Sequence, residues 1–242
     1  MIARLLAILS TSRKANTTIF HEALQNFHMN NFQILCYGDS NTWGYIPVTG
    51  GRYAPTVRWT GVMAEQLGPR FSVIEEGQSG RTTVWDDPLE GDKNGLRYLP
   101  ACLESHMPLD LVILMLGTND LKARFSLTAL DIALGAERLV QVIQKSGCGV
   151  DGNPPAILLA APPPINPIDD VGSEMFYGGS QKSASLAQRY KAVAEKWGCC
   201  FLDVAALIKV DAADGIHYSE ASHRALGKAM ADHVLNSRQL AI

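Results

Sequence analysis

The sequence predicts an α/β fold: a three-layer α/β/α sandwich around a central five-stranded, mainly parallel sheet. Short apolar runs of strand length alternate along the chain with longer segments in which apolar residues recur at helical spacing. Most of these segments end at Gly, Pro or short polar residues, which mark turns. Strands that alternate with helices are typical of a parallel sheet covered by helices on both faces.

The elements follow in order along the chain. Five apolar runs are predicted as strands: a run that begins at Phe32 and ends before Gly38, and residues 71–75, 111–116, 156–161 and 199–204. Helices are predicted where apolar residues recur at helical spacing; Thr128 and Ser219 are read as cap residues, and Gly68, Gly147 and Gly198 end three of the helices. These segments are residues 56–67, 96–106, 128–146, 183–197 and 219–236. The Gly- and Pro-rich stretch 44–55 is predicted as an extended loop or hairpin that turns at Gly50-Gly51.

Size and charge narrow the class of protein. With 242 residues and 47% hydrophobic content, the chain can bury one full core, which we assign to a single domain at residues 32–242. A formal charge of −3 without a basic stripe argues against a nucleic-acid partner. No segment approaches the ~18 apolar residues of a membrane span, so no membrane partner is expected. A small-molecule ligand or substrate is the partner that remains.

The N-terminal residues 1–31 are predicted to form an extension that either packs on the surface or is poorly ordered. Their apolar stretch runs only from Leu5 to Leu9, which is shorter than the core of an export signal. The five cysteines form neither an even set nor a CxxC pair, so we expect reduced thiols and a cytoplasmic protein.

Three polar segments carry the chemistry. Ser40 follows the first strand in Gly38-Asp39-Ser40, and Asn119 follows the third strand. Ligands of parallel sheets bind beyond the carboxyl ends of strands, where both side chains are expected to lie. Asp214 and His217 stand three positions apart before the last helix, so the carboxylate can orient the imidazole, which can then deprotonate a serine.

These segments resemble the motif blocks of the SGNH hydrolases, also called GDSL esterases and lipases. Gly38-Asp39-Ser40 resembles the nucleophile block, with Asn41 in place of the usual leucine, at a position expected to do no chemistry. Gly117-Thr118-Asn119-Asp120 and Asp214-Gly215-Ile216-His217 resemble two further blocks. The resemblance implies a catalytic triad of Ser40, His217 and Asp214. It also implies an oxyanion hole made by the backbone N–H groups of Ser40 and Gly80 and the amide of Asn119, although Gly77 lies close to Gly80.

Within that family, the chain looks closest to bacterial arylesterases that also act as acyltransferases, on the strength of Trp43-Gly44-Tyr45 and residues 85–88 and 117–122. The resemblance implies that the loop 44–55, with its apolar side chains exposed, packs between the subunits of a homo-oligomer. Trp43 is predicted either to narrow the acyl pocket as a substrate-binding residue or to pack in the core.

Other chemistries fit the sequence less well. An α/β-hydrolase nucleophile at Ser79 fails because Arg81 replaces the second glycine of Gly-x-Ser-x-Gly. Paired histidines and HExxH are missing, so we expect no metal and no cofactor. Asp39 is expected to hold the Ser40 turn through backbone N–H groups, and the acidic loop 86–92 to be solvated. His106 is expected to need only a helix-dipole contact, and the four remaining histidines, His21, His28, His223 and His233, to be bystanders, the last two at solvent-compatible positions.

The sequence therefore predicts a serine esterase of short-chain aryl, alkyl or acetyl esters, with acyltransferase activity towards alcohols. Two alternatives stay open at this point. One is a carbohydrate O-deacetylase that uses the same site. The other is a metal-using or non-catalytic ligand binder on the same fold, because fold does not fix function.

Overall fold

The computed structural model describes residues 31–237, in which one five-stranded sheet has the order β2-β1-β3-β4-β5 and every neighbouring pair is parallel. The predicted parallel α/β architecture is thus confirmed. The predicted extension lies outside the described residues, apart from Asn31. The strands are β1 (Phe32–Gly38), β2 (Phe71–Gly77), β3 (Leu111–Met115), β4 (Ala156–Ala161) and β5 (Cys200–Asp203).

Helices cover both faces of the sheet. They are α1 (Ser40–Trp43), α2 (Trp59–Leu67), α3 (Gly95–His106), α4 (Ala129–Lys145), α5 (Asp170–Met175), α6 (Gly179–Ser183), α7 (Leu186–Trp197) and α8 (Glu220–Asn236). Helices α2 and α8 pack together on one face, and α3, α4 and α7 enclose a second core on the other. Within the described residues, no helix is long and apolar enough to cross a membrane.

Most predicted elements form close to their expected bounds. Thr128 caps α4 by accepting from the backbone N–H of Asp131, whose side chain accepts in return, and Ser219 caps α8. Two expectations were wrong. The helix predicted from residue 56 begins three residues later, and the one predicted at 183–197 begins at Leu186, because Ser183 is the last residue of the separate helix α6. Helix α5 was not predicted at all.

Helices α2 and α8 touch at Gly227. A Cβ atom at this position would lie 2.6 Å from the backbone oxygen of Trp59 and from Cβ of Val62. Only glycine lets the two helices approach this closely, because any side chain there would collide with the backbone of α2. This contact fixes α8, and with it the loop that precedes α8 and carries His217.

The strand order decides where the polar segments meet. The chain runs from β1 outward to β2 and then returns to β3 on the other side of β1, so the order reverses between β1 and β3. A crevice forms at such a switch point, beyond the carboxyl ends of the strands. Ser40 follows β1 and Asn119 follows β3, which places both at this crevice.

Candidate active site

Ser40 is the first residue of α1 and follows β1 after a single residue, Asp39. The Asp39 carboxylate accepts the backbone N–H of Asn41 at 2.9 Å and so caps this short helix. This is the turn-holding role expected for Asp39, and it is confirmed. Burial raises the pKa of Asp39, while the hydrogen bond from Asn41 and the nearby His217 and Arg81 oppose that rise.

Three side chains form a continuous hydrogen-bonded chain. Nε2 of His217 lies 3.1 Å from Oγ of Ser40, and Nδ1 of His217 lies 2.7 Å from Oδ2 of Asp214. The other oxygen, Oδ1 of Asp214, accepts the backbone N–H groups of Ile216 and His217, each at 2.9 Å. Burial favours the neutral acid, but the hydrogen bonds from His217 and Ile216 outweigh it and hold the pKa of Asp214 below its usual value. A charged Asp214 can thus orient the imidazole towards Ser40.

The loop that carries His217 is fastened along its length. The backbone oxygen of His217 accepts from the N–H of Asp211 at 2.6 Å, and the oxygen of Gly215 accepts from the N–H of Asn166 at 2.7 Å. Gly215 has φ of +73°, and a Cβ atom there would lie 1.7 Å from the backbone oxygen of Asn166. No other residue fits at this position. On the side of the loop that faces the crevice, the ring of Tyr45 stacks on the His217 ring, with the centroids 4.1 Å apart.

The groups predicted to form an oxyanion hole converge on the same crevice. Ser40, Gly80 and Asn119 all line it, whereas Gly77 does not. One N–H of the Asn119 amide donates to the backbone oxygen of Arg81 at 3.1 Å, and its second N–H remains available. Gly80 has φ of +85°, and a Cβ atom there would lie 2.5 Å from a carboxylate oxygen of Glu90. The positive φ, a conformation that side chains rarely adopt, favours glycine at residue 80.

Two buried charged residues, Arg81 and Asp120, hold the segment around Gly80 in place. The sequence pattern predicted this role for neither of them. Arg81 donates to the backbone oxygens of Gly38, at 2.8 Å, and of Glu76, and its guanidinium lies 4.3 Å from the Tyr37 ring centroid. It thereby ties the ends of β1 and β2 to the residue next to Gly80. Asp120 accepts from both the backbone N–H and the hydroxyl of Thr83, and burial raises its pKa to about 6.

The crevice widens into a cleft of about 390 Å³. Its polar lining includes Glu90, Lys122 and Asp169. Its apolar walls come from the loop 44–55, from α5 with the residue that follows it, and from the loop that carries His217: Tyr45, Val48, Val171, Met175, Phe176 and Ile216. Helix α5 follows a proline-rich segment that reads as a loop, which is why the sequence did not reveal this wall.

Trp43 lies outside the cleft. Its ring is covered by the guanidinium of Arg52, 5.0 Å from the ring centroid, and Nε of Arg52 donates to its backbone oxygen at 2.7 Å. Trp43 is not among the described residues that line the cleft. The neighbour that faces His217 is Tyr45, two positions further along the chain.

The acidic loop 86–92 was expected to be solvated, and for Asp87 this was wrong. Asp87 is buried, accepts two backbone N–H groups of its own loop, and contacts Arg124 at 3.1 Å and Lys122 at 3.8 Å. Lys122, itself buried, also contacts Glu90 at 2.6 Å. These ion pairs fix the loop against the segment that follows Asn119. They also pair the positive charge of Lys122 with two carboxylates of the same chain, those of Asp87 and Glu90.

Two of the histidine assignments need correction, those of His223 and His106. His223 was expected at a solvent-compatible position but is fully buried between α2 and α8, and burial lowers its pKa to about 4. His106 bonds to Glu76 at 2.8 Å, so it does more than contact a helix end. His106, Glu76 and Cys102 each offer one possible metal-ligand atom, and these three atoms lie close enough together to hold a metal ion. None of these three residues lines the cleft that contains Ser40.

Comparison with known proteins identifies the family. The family model of the GDSL-like lipase/acylhydrolase family matches residues 36–225, and the chain belongs to this family. The protein is therefore an ester hydrolase. A comparison with curated proteins gives no match.

Solved structures of the same fold narrow the comparison. The native aryl esterase of M. smegmatis is 49% identical with a TM-score of 0.81, over 84% of this chain and 98% of that one. Est24, a carbohydrate acetylesterase from Sinorhizobium meliloti, is 45% identical with a TM-score of 0.81, over 85% and 99%. A carbohydrate acetylesterase family member from the same organism is 38% identical with a TM-score of 0.82, over 87% and 100%.

Proposed function

We propose that the chain is a serine esterase that hydrolyses short-chain carboxylic esters, above all acetates, through an acyl-enzyme on Ser40. The observation that carries this proposal is the hydrogen-bonded chain from Asp214 through His217 to Ser40, which opens on a cleft lined by Gly80 and Asn119. Serine needs an adjacent base to act as a nucleophile, and the base needs an orienting partner.

The reaction proceeds in two halves. His217 takes the proton of Ser40 as Oγ bonds to the ester carbonyl carbon, and Asp214 stabilises the imidazolium. The tetrahedral intermediate then expels the alcohol, which leaves with the proton held by His217. Water attacks the acyl-enzyme in the second half, again with His217 as base, and releases the acid and the free serine.

The negative charge on the carbonyl oxygen needs donors that are already in place. The N–H groups of Ser40 and Gly80 and the second amide N–H of Asn119 supply them. Removing one such donor costs about 2.7–4 kcal/mol of transition-state stabilisation. Arg81 and Asp120 hold the segments that carry these donors, so the protein pays no reorganisation cost when the charge develops.

Cleft size supports small esters. About 390 Å³ is near the lower end of the volumes typical of small-molecule sites, which favours a short acyl group. The similar structures include an aryl esterase, a carbohydrate acetylesterase and a carbohydrate acetylesterase family member, which agrees with aryl or acetyl esters as substrates. Val48, Met175 and Phe176 give the cleft an apolar wall that suits an aryl group.

Carbohydrate O-deacetylation is the second candidate. The carboxylates of Glu90 and Asp169 stand at the cleft rim, where they can accept hydroxyl hydrogens of a sugar. One of the similar structures is a carbohydrate acetylesterase, and another is a carbohydrate acetylesterase family member. Equal protein samples assayed with a phenyl acetate and an acetylated sugar separate the candidates: the larger kcat/KM identifies the preferred alcohol.

Transfer to alcohols is proposed alongside hydrolysis. An alcohol that occupies the apolar side of the cleft can attack the acyl-enzyme in place of water. We further propose that the protein is a homo-oligomer in which the loop 44–55 contributes to contacts between subunits near the cleft.

The test of the proposed function is Ser40→Ala. Turnover of a chromogenic acetate is expected to fall by a factor of about 10⁴ or more, with an unchanged melting temperature because a small hydroxyl contributes little packing. A serine-directed phosphonylating reagent is expected to label the parent once, at Ser40. The matched control is Ser79→Ala, which removes the other serine of the cleft and should leave this labelling intact.

Two results would contradict the proposal. The first is parent-like hydrolysis by Ser40→Ala. The second is activity that the phosphonylating reagent leaves unchanged but that a chelator abolishes, which would instead indicate metal-assisted hydrolysis.

A further inference from the structure

We infer that Asn41 is a positioning residue that fastens the histidine loop to the nucleophile turn, an inference that rests on the proposed function of that site. Asn41 follows Ser40 directly and is buried. The family's usual leucine at this position has an apolar side chain, which neither donates nor accepts hydrogen bonds. The amide of Asn41 does both.

The two hydrogen bonds of the Asn41 side chain lie on either side of the candidate base, His217. Oδ1 of Asn41 accepts the backbone N–H of Tyr218 at 3.1 Å, and Nδ2 donates to the backbone oxygen of Ile216 at 3.4 Å. Ile216 and Tyr218 are the two chain neighbours of His217. One side chain therefore holds the peptide groups on both sides of the histidine, across 175 and 177 positions of sequence.

We call the two hydrogen bonds from the Asn41 side chain to the backbone of Ile216 and Tyr218 the Asn41 clasp. The residues at both ends of this clasp are themselves held in place. The backbone N–H of Asn41 is bonded to Asp39, so the amide starts from a fixed turn. Tyr218 is fully buried beneath the loop, with its hydroxyl 3.9 Å from the sulfur of Met115. The distance from Ser40 to His217 is therefore set by two anchored backbones joined through Asn41, in addition to the bond between the two reacting side chains.

Other contacts do not duplicate this link. The bonds from Asn166 and Asp211 tie the histidine loop to the β4 side of the fold and to itself. The Tyr45 ring rests on the imidazole without fixing its backbone. Within the described residues, Asn41 is the side chain that hydrogen-bonds the backbone of the histidine loop to the nucleophile turn.

Loss of the clasp should affect the chemical step more than substrate binding. Asn41 is not among the described residues that line the cleft, so its removal should leave KM within about twofold of the parent. A base displaced by a fraction of an ångström slows proton transfer, and misplacements of about 1 Å cost on the order of a hundredfold in rate. For Asn41→Leu we expect kcat to fall by roughly tenfold to a hundredfold.

The control is Thr42→Val. Thr42 is the next residue, is fully buried, and its hydroxyl has no hydrogen-bond partner within the described residues. Valine has the same shape, so this variant perturbs the same turn without removing a contact to the histidine loop. Its kcat and KM are expected to match those of the parent.

Amide hydrogen exchange tests the clasp without relying on turnover. The N–H of Tyr218 is bonded to Asn41, so Asn41→Leu should accelerate exchange at Tyr218 by at least tenfold, while Thr42→Val should not. Asn41→Ala, which keeps the turn free of a larger side chain, should show the same acceleration and serves if the leucine variant folds poorly.

The outcomes separate the two claims. If the parent hydrolyses no ester, the proposed function fails, while faster exchange at Tyr218 in Asn41→Leu still supports the clasp. If the parent is active and Asn41→Leu and Asn41→Ala keep both its kcat and its slow exchange, the positioning role is overturned. A rise in KM with kcat unchanged also overturns it, because that would place Asn41 in substrate binding.

Discussion

Two buried carboxylates, Asp39 and Asp120, stand behind the candidate nucleophile and the oxyanion donors. Each is satisfied by backbone N–H groups rather than by a cation: Asp39 by Asn41, and Asp120 by Thr83. Burial raises the pKa of both. They therefore hold the two turns that follow β1 and β3 through backbone N–H groups.

Asn119 gives a prediction at the same scale. Asn119→Ala removes an amide that is needed mainly when charge develops on the carbonyl oxygen, so kcat should fall by about 10²–10³ with little change in KM. Steady-state kinetics with a chromogenic acetate measure both constants.

A matched control for Asn119→Ala is Asn153→Ala. The Asn153 amide also donates to a backbone oxygen at 3.1 Å, but at an exposed position. Its kinetics should stay at parent values. A change confined to KM in Asn119→Ala would show that Asn119 binds the substrate instead.

The sequence revealed some site residues and concealed others for a physical reason. Ser40, Asn119 and His217 stand at strand ends or before a helix, so local pattern locates them. Asn41 and Arg81 act through backbone groups of distant segments, and a polar residue next to a turn carries no signal of its partner. Whether an Asn at residue 41 bonds across the site is decided by tertiary packing alone.

Helix α8 shows what periodicity can predict and where it was misapplied. Its buried residues recur at helical spacing: His223, Leu226, Gly227, Met230, Ala231 and Val234. Extending the apolar stripe back by one turn places His223 on the buried face, so its burial was readable from the sequence. Helix α5 had no comparable signal, because it is short and follows a proline-rich segment.

His223 joins α8 to α2 and leads to a prediction at the scale of these elements. Its Nδ1 accepts the backbone N–H of Trp59, the first residue of α2, at 3.3 Å, and its ring packs edge-on against Tyr53 and Tyr218. The bond requires the neutral ring. Burial, with the nearby His217 and Arg58, lowers the pKa of His223 to about 4 from 6.5.

The sign of the pH dependence follows. A histidine whose folded pKa is depressed contributes no penalty above pH 6.5, and stability is lost as the pH falls from 6.5 towards 4, because the unfolded chain takes up the proton first. Between pH 7.5 and 4.5 this contribution is about 2 kcal/mol of unfolding free energy. The raised pKa of Asp120 acts in the opposite direction over part of this range.

The comparison of parent with His223→Asn isolates this residue, because Asp120 titrates in both. Asparagine offers an acceptor to Trp59 but does not titrate. Urea unfolding at pH 7.5 and 4.5 should show a smaller loss on acidification in the variant. His233→Asn, half-buried on the same helix, should change the difference less. Equal acid sensitivity of parent and His223→Asn would contradict the assignment.

At the scale of the whole molecule, the loop 44–55 is less exposed than the sequence suggested. It does form a hairpin-like turn, with the N–H of Ile46 bonded to the oxygen of Gly51 at 2.8 Å. Of the five apolar side chains predicted to be exposed, Pro47 is buried and Tyr45, Ile46 and Tyr53 are half-buried, so four of the five expectations were wrong. Val48 alone among them is exposed, at 75%.

Val48 nevertheless gives a reason to expect self-association. It has φ of +66°, a left-handed conformation that is strained for a β-branched residue and is typical of functional or contact positions. Val48 and Val171, which is 69% exposed, both line the mouth of the cleft. We expect light scattering to give a mass of at least twice the 26.3 kDa chain, and Val48→Glu to lower it. Val150→Glu, also at an exposed valine, should leave the mass unchanged.

The same contact bears on the choice between water and alcohol at the acyl-enzyme. A second subunit seated on Val48 and Val171 would turn an open cleft into a narrower apolar channel, which admits an alcohol with an apolar group more readily than it retains water. In water that contains a simple alcohol, the parent should therefore give a higher ratio of transesterification to hydrolysis than Val48→Glu, with Val150→Glu matching the parent. A strictly monomeric parent would contradict the assembly, and hydrolysis without any transfer product would contradict the acyltransferase activity.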